Sequence, residues 1–167
     1  MSPAETSIES RLRLLEDHEE IRQLKAHYAH SYDQKFADDH RPLSQAECDA
    51  LIKPMVEAVF SEDAEWIGGM SNLHLKGRQA IFDYLRQNPW NFSMHLYGNP
   101  LIAVDGDTAH ASWMLLEPAT RRSDNQAMWM AAVTEDDYVR TAQGWRLRRY
   151  ELNTKFLTPF DESWAHG

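Results

Sequence analysis

Two short turns in the C-terminal half constrain the fold more than any other feature of the sequence. Asp105-Gly106-Asp107 separates the stretches 93–104 and 108–117, and Thr141-Ala142-Gln143-Gly144 separates 128–139 and 145–152. Each turn is flanked by runs rich in apolar, β-branched and aromatic residues, the short-range signature of a β-hairpin. From Asn91 onward the chain therefore reads as long antiparallel strands. A sheet of this kind needs another layer to cover its apolar surface.

The first half supplies helices for that layer. Thr6-Ser7-Ile8-Glu9 reads as a capping box, followed at helical spacing by Ile8, Leu12 and Leu15. A second helix start is expected at Asp17-His18-Glu19-Glu20, after which Ile21, Leu24, Tyr28 and Tyr32 mark one buried face running to about Asp33. Residues 34–42 are polar and read as a loop. Ser44-Gln45-Ala46-Glu47 opens a further helix with Leu51, Ile52, Met55, Val56 and Phe60, and Pro54 predicts a kink or a fresh start within it. Short strands are expected at 64–67 and 73–76, and Gly77 leads into a helix carrying Ile81, Phe82 and Leu85. Helices first and strands afterwards give an α+β class, expected to form a single domain over residues 1–167. A chain of that length can bury about 70% of its unfolded surface in one core.

Side chains alternate along a strand, so parity assigns faces. Between 108 and 118, Trp113 and Leu115 share one face, and His110, Ser112, Met114 and Leu116 share the other. On the next strand Trp129, Ala131 and Val133 lie opposite Met128, Met130, Ala132 and Thr134. Both faces are substantially apolar, whereas a sheet with one wet face alternates apolar with polar. One face is expected to pack on the helices around a cavity. The other is expected to meet a second subunit.

Composition removes several function classes. Lys and Arg number 17 against 26 Asp and Glu, a formal charge of −9, so nucleic-acid binding lacks its main driving term, the neutralisation of phosphates. An anionic membrane surface is disfavoured for the same reason. No apolar run approaches the ~20 residues needed to span a bilayer, and the charged N-terminal stretch lacks the apolar region of a signal peptide. One cysteine, Cys48, rules out an internal disulfide and a cysteine-built zinc site, and a cytoplasmic location is expected. A small, fairly apolar substrate in a pocket remains.

No P-loop, GxGxxG, GxSxG or HExxH motif is present. Cys48 has no evident activating partner and reads as structural. His27, His30 and Asp33 recur at i, i+3 and i+6 and could present metal ligands, but they read better as a solvated helix edge, with no metal expected. Tyr28, Asp33, His95 and His110 are the positions of chemical interest. Asp33 ends a helix, where a carboxylate faces the unfavourable end of the dipole. His95 sits in an apolar strand. A helix-end turn residue and a satisfied core histidine account for these two equally well, and spacing does not show that they meet.

Several stretches are similar to a known family. EDHEEIRQLKAHYAHSYD, SEDAEW, GRQAIFDYL, MHLYGNPLIAVDGDTAHASW and DDYVRTAQGWRLRRYEL resemble, in order, the SnoaL-like branch of the nuclear transport factor 2-like superfamily. The resemblance covers most of the chain from about Ile8 to Phe160. It implies a cone-shaped domain in which helices close a curved antiparallel sheet around an apolar pocket. The match extends to bile-acid 7α-dehydratase, scytalone dehydratase and hexachlorocyclohexane dehydrochlorinase, which use an Asp-His dyad without metal or organic cofactor. The resemblance assigns that dyad to Asp33 and His95 and an active-site tyrosine to Tyr28. It places Trp66, Met114, Leu116, Met130 and Tyr150 as substrate-binding residues on the pocket side. Trp113 and Trp129 then fall on the outer face, where the family commonly forms homotrimers or homodimers. A further acidic residue of the bile-acid enzyme falls at Pro118, with the adjacent Glu117 expected to point elsewhere.

The implied chemistry is β-elimination on a ring-bearing apolar molecule. His95 would remove a carbon-bound proton, Asp33 would orient the imidazole, and Tyr28 would hydrogen-bond developing negative charge. Methionine-lined walls suit a bulky aromatic or secondary metabolite. Formaldehyde-releasing carbon–carbon cleavage of lignin-derived aromatics, double-bond isomerisation, polyketide cyclisation and simple ligand binding are the alternatives within the same superfamily.

Overall fold

The computed structural model describes residues 7–37, 39, 41–69 and 73–165. Helix α1 spans Ile8–Asp33 without interruption, capped by Ser7, whose side chain accepts from the Ser10 backbone N–H. Thr6, the expected cap, lies outside the described residues. The second start expected at Asp17 is corrected: Asp17 is buried in mid-helix. Its carboxylate accepts from Trp145 Nε1 at 3.2 Å and pairs with Arg140 at 2.7 Å. A cluster of acids that looks like a first turn is here a helix face tied to the sheet by one of its members. The buried face continues through Ile21, Lys25, Tyr28, Ala29 and Tyr32, whereas Ile8, Leu12 and Leu15 are exposed.

Helix α2 (Gln45–Val59) starts at the expected capping box, with Ser44 and Glu47 exchanging side-chain and backbone hydrogen bonds. Pro54 lies inside it and ends no helix; the missing amide leaves only the Ala50 carbonyl without its usual donor. Strands β1 (Phe60–Gly68) and β2 (Leu73–Lys76) precede α3 (Arg78–Leu85). The remaining strands are β3 (Trp90–Ser93), β4 (Leu96–Asp105), β5 (Thr108–Arg121), β6 (Ala127–Thr141) and β7 (Gly144–Pro159).

The seven strands form one curled sheet in the order β2-β1-β7-β6-β5-β3, with β4 also paired to β5. All pairings are antiparallel except that of β1 with β7. The expected strand 93–104 is broken, because β3 pairs with the far end of β5 and β4 with its first half. Met94 and His95 occupy the break. The helices cover the sheet around a core that includes Ile21, Ile52, Phe60, Ile81, Trp113 and Leu147. Among the described residues, no helix is long and apolar enough to cross a membrane.

Register corrects the assignment of faces on β5. Trp113 pairs with Thr134, Leu115 with Ala132 and Glu117 with Met130, and directly paired residues share a face. Trp113, Leu115 and Glu117 therefore point inward with Met130, and all three are buried. Met114 and Leu116, expected on the pocket side, point outward and are 57% and 39% exposed. Trp113, expected outside, is a core residue. Both parities of this strand carry large apolar side chains, so composition cannot choose between them. Trp129 lies opposite the buried Met128 and Met130, as expected, and stacks on Phe160 at 6.0 Å.

Candidate active site

Asp33 is the last residue of α1, and its carboxylate reaches the break between β3 and β4. There Oδ2 accepts the His95 backbone N–H at 2.8 Å, while Oδ1 lies 2.7 Å from His95 Nδ1. One side chain thus fixes both the main chain and the ring of the histidine. With Asp33 accepting, Nδ1 carries the proton and Nε2 presents its lone pair on the other side of the ring. That side faces Glu117, whose Oε2 is 3.7 Å from Nε2, too far for a hydrogen bond. Glu117 is 3% exposed and was expected to point away; the β5 register turns it inward.

Burial opposes charge on His95, but Glu117 and the hydrogen bond and charge of Asp33 outweigh it and raise the imidazole pKa above its ordinary value. Burial also raises the Glu117 carboxyl, with Asp33 adding to the shift and His95 and Lys35 opposing it. Burial holds the Tyr28 and Tyr32 phenols well above their usual range, so both remain neutral donors.

The groups border a cavity of about 60 Å³, walled by Tyr28, Tyr32, Trp66, Tyr84, Glu117 and Tyr150, with His95 at one side. Tyr32 meets the His95 ring edge-on at 5.1 Å, and Tyr97 stacks along it at 6.0 Å. Trp66 stacks on Tyr150 at 4.0 Å, and Tyr150 and Tyr97 join hydroxyls at 3.0 Å. Met130 also lines the cavity, beside Leu115. The structure therefore brings Tyr28, Asp33, Trp66, His95, Met130 and Tyr150 together and leaves Met114 and Leu116 outside. Sequence reasoning missed Glu117, Tyr32 and Tyr84.

Asp33 and His95 also border a wider groove of about 970 Å³ between α1 and β4, lined by Met94, Leu96 and Pro100. Glu117 belongs only to the inner cavity, which is where a base and a second carboxyl converge. His110 is elsewhere, bonded on the outer face to Asp137 and Glu135. Among the described residues, no group of three or more His, Cys, Asp or Glu side chains is arranged to hold a metal ion.

Residues 48–151 match the model of the SnoaL-like domain. The chain belongs to the SnoaL-like family. Uncharacterized proteins of Mycobacterium tuberculosis and Mycobacterium bovis are each 30% identical to it over 140 residues, covering 81% of this chain and 83% of theirs. Among solved structures, the hexachlorocyclohexane dehydrochlorinase LinA-type3 of Novosphingobium barchaimii superposes with a TM-score of 0.73 at 18% identity, covering 95% and 99% of the two chains. An NTF2-like protein of cystatin-like fold from Novosphingobium aromaticivorans gives 0.67 at 26% identity, covering 98% and 95%. The curled sheet and its helices are thus those of the nuclear transport factor 2-like superfamily.

Proposed function

We propose that this SnoaL-like protein is a cofactor-independent lyase that performs β-elimination on a ring-bearing apolar molecule, using His95 as base. The observation that carries the reading is the asymmetry of His95: Nδ1 is held by Asp33, while Nε2 opens onto an apolar cavity beside a buried carboxyl. His95 Nε2 takes a proton from carbon, the bond electrons form the new double bond, and the leaving group departs from the neighbouring carbon. Asp33 fixes the tautomer and stabilises the imidazolium. The Glu117 carboxylate beside Nε2 stabilises the imidazolium, which returns its proton to the departing group, and Tyr28 donates a hydrogen bond to the oxygen on which charge grows.

The cavity modifies the expected substrate. About 60 Å³ is far below the roughly 300–1,000 Å³ of pockets that take drug-sized ligands, so the fit favours a compact ring over a bulky metabolite. Even a single ring requires wall side chains to rotate. Glu117 also permits a second reading. A carboxyl that returns the proton to a different carbon would complete a double-bond isomerisation with the same base. Trp129 and the exposed Met114 and Leu116 give the outer face an apolar surface, on which we place a homotrimer or homodimer contact. Trp129→Glu should lower the native mass, and an unchanged mass would remove that contact.

The test is a screen of small cyclic hydroxyketones, halides and methoxyphenols for loss of water, halide or formaldehyde. Water or halide release by the wild type and not by His95→Ala supports elimination. Formaldehyde release would move the protein to carbon–carbon cleavage, and equal turnover by both proteins would reject His95 as base.

A further inference from the structure

The cavity holds more polar groups than the elimination uses. Trp66 is 4% exposed, yet its Nε1 has no hydrogen-bond partner among the described residues. An indole N–H can only donate, and leaving such a group buried and unpaired costs about 1–3 kcal/mol. The half-buried Tyr84, on α3, lines the same cavity. Its oxygen lies against the backbone of Gly69 at the end of β1, 3.4 Å from where a Cβ there would stand. The two rings are neighbours, with centroids 5.8 Å apart. Among the described residues, no Lys or Arg lines the cavity.

We propose that Trp66 and Tyr84 form a second oxygen-binding subsite, and that the substrate is a neutral ring carrying two oxygen functions, one at the reacting end and one here. The inference rests on the cavity being the substrate site of the lyase reading, and it names the substrate class. Trp66 donates to the distal oxygen, and Tyr84 donates to or accepts from it according to whether that oxygen is a carbonyl or a hydroxyl. A purely halogenated ring offers only weak acceptors and leaves the buried Trp66 N–H unpaired, so the subsite selects against it. With no Lys or Arg among the described lining residues, a carboxylate in the same position finds no cation to pair with.

Three ring probes separate the possibilities without any turnover: resorcinol with two oxygens, phenol with one and toluene with none. Calorimetric titration of the full chain should show resorcinol binding about tenfold tighter than phenol, the value of one additional hydrogen bond. Trp66→Phe and Tyr84→Phe should each abolish that preference, and His95→Ala should retain it. In wild-type protein, the indole N–H resonance of Trp66 should move with resorcinol and stay in place with toluene, a readout that needs no variant to fold. A preference that survives both substitutions, or a resonance that ignores resorcinol, would overturn the subsite. Equal binding of all three probes would overturn the subsite and leave His95 chemistry standing. Binding of none would overturn the subsite and the substrate cavity together.

Discussion

Two buried acid–base couples lie between α1 and the sheet, and they differ in what their remaining atoms meet. Lys25 and Asp136 pair at 2.7 Å with side chains almost wholly enclosed. Lys25 also donates to Thr134 at 3.1 Å, the Tyr138 hydroxyl donates to Asp136 at 2.8 Å, and the ammonium lies 4.1 Å from the centre of the Tyr97 ring. Burial lowers the Lys25 pKa, and Asp136 opposes that shift. His95 and Asp33 are also close and largely enclosed, yet their couple stops at one ring nitrogen and leaves the other facing a cavity. Both couples orient α1 on the sheet. Only the second leaves a basic atom where a ligand can reach it, so an unpaired atom facing a cavity marks chemistry better than a buried ion pair does.

The comparison can be broken at either couple. His95→Ala should lower kcat/KM by about 10²–10⁴-fold, the usual contribution of a positioned base, with little change in the urea midpoint. A large loss of stability with that substitution would make His95 a core residue instead. Lys25→Met should behave in the opposite way. It leaves the buried Asp136 without its cation and with only the Tyr138 hydroxyl as donor, a loss of about 3–5 kcal/mol by urea unfolding. Adding Asp136→Leu should recover much of that loss, and a single variant as stable as wild type would refute the structural role.

A smaller effect separates the couples by pH. The base form of His95 is lost as pH falls through its raised pKa, so the acid limb of kcat/KM should lie above the ordinary histidine value of about 6.5. Glu117→Gln removes a negative neighbour and should move that limb to lower pH. The raised pKa also contributes stability that is present below about pH 6.5 and lost as pH rises through the folded value, and the same substitution should reduce it. An unmoved limb would mean that Glu117 does not reach the imidazole.

What the sequence made legible follows from the range of each interaction. Caps, turns and helical spacing are local, so the hairpin turns, the Ser44–Glu47 box and the end of α1 at Asp33 were readable. The encounter of Asp33 with His95 spans 62 positions and came from family resemblance, not from spacing. Glu117 was hidden because both faces of β5 are apolar, and only its pairing with Met130 sets the parity. Lys25 and Asp136, 111 positions apart, each look like ordinary surface charges until the fold encloses them. Tyr32 was visible as a buried helix residue, but nothing in its spacing showed that it borders the same cavity as Tyr84 and Trp66.

The central claim is that His95 takes a proton from carbon, and this can be measured without knowing the leaving group. 2-Cyclohexen-1-one incubated with the protein in D₂O should exchange its acidic carbon-bound hydrogens, followed by proton NMR, faster than buffer alone. His95→Ala should reduce that exchange to the buffer rate while its urea midpoint stays at the wild-type value. Exchange at the same rate in both proteins, or none above buffer in the wild type, would contradict the account.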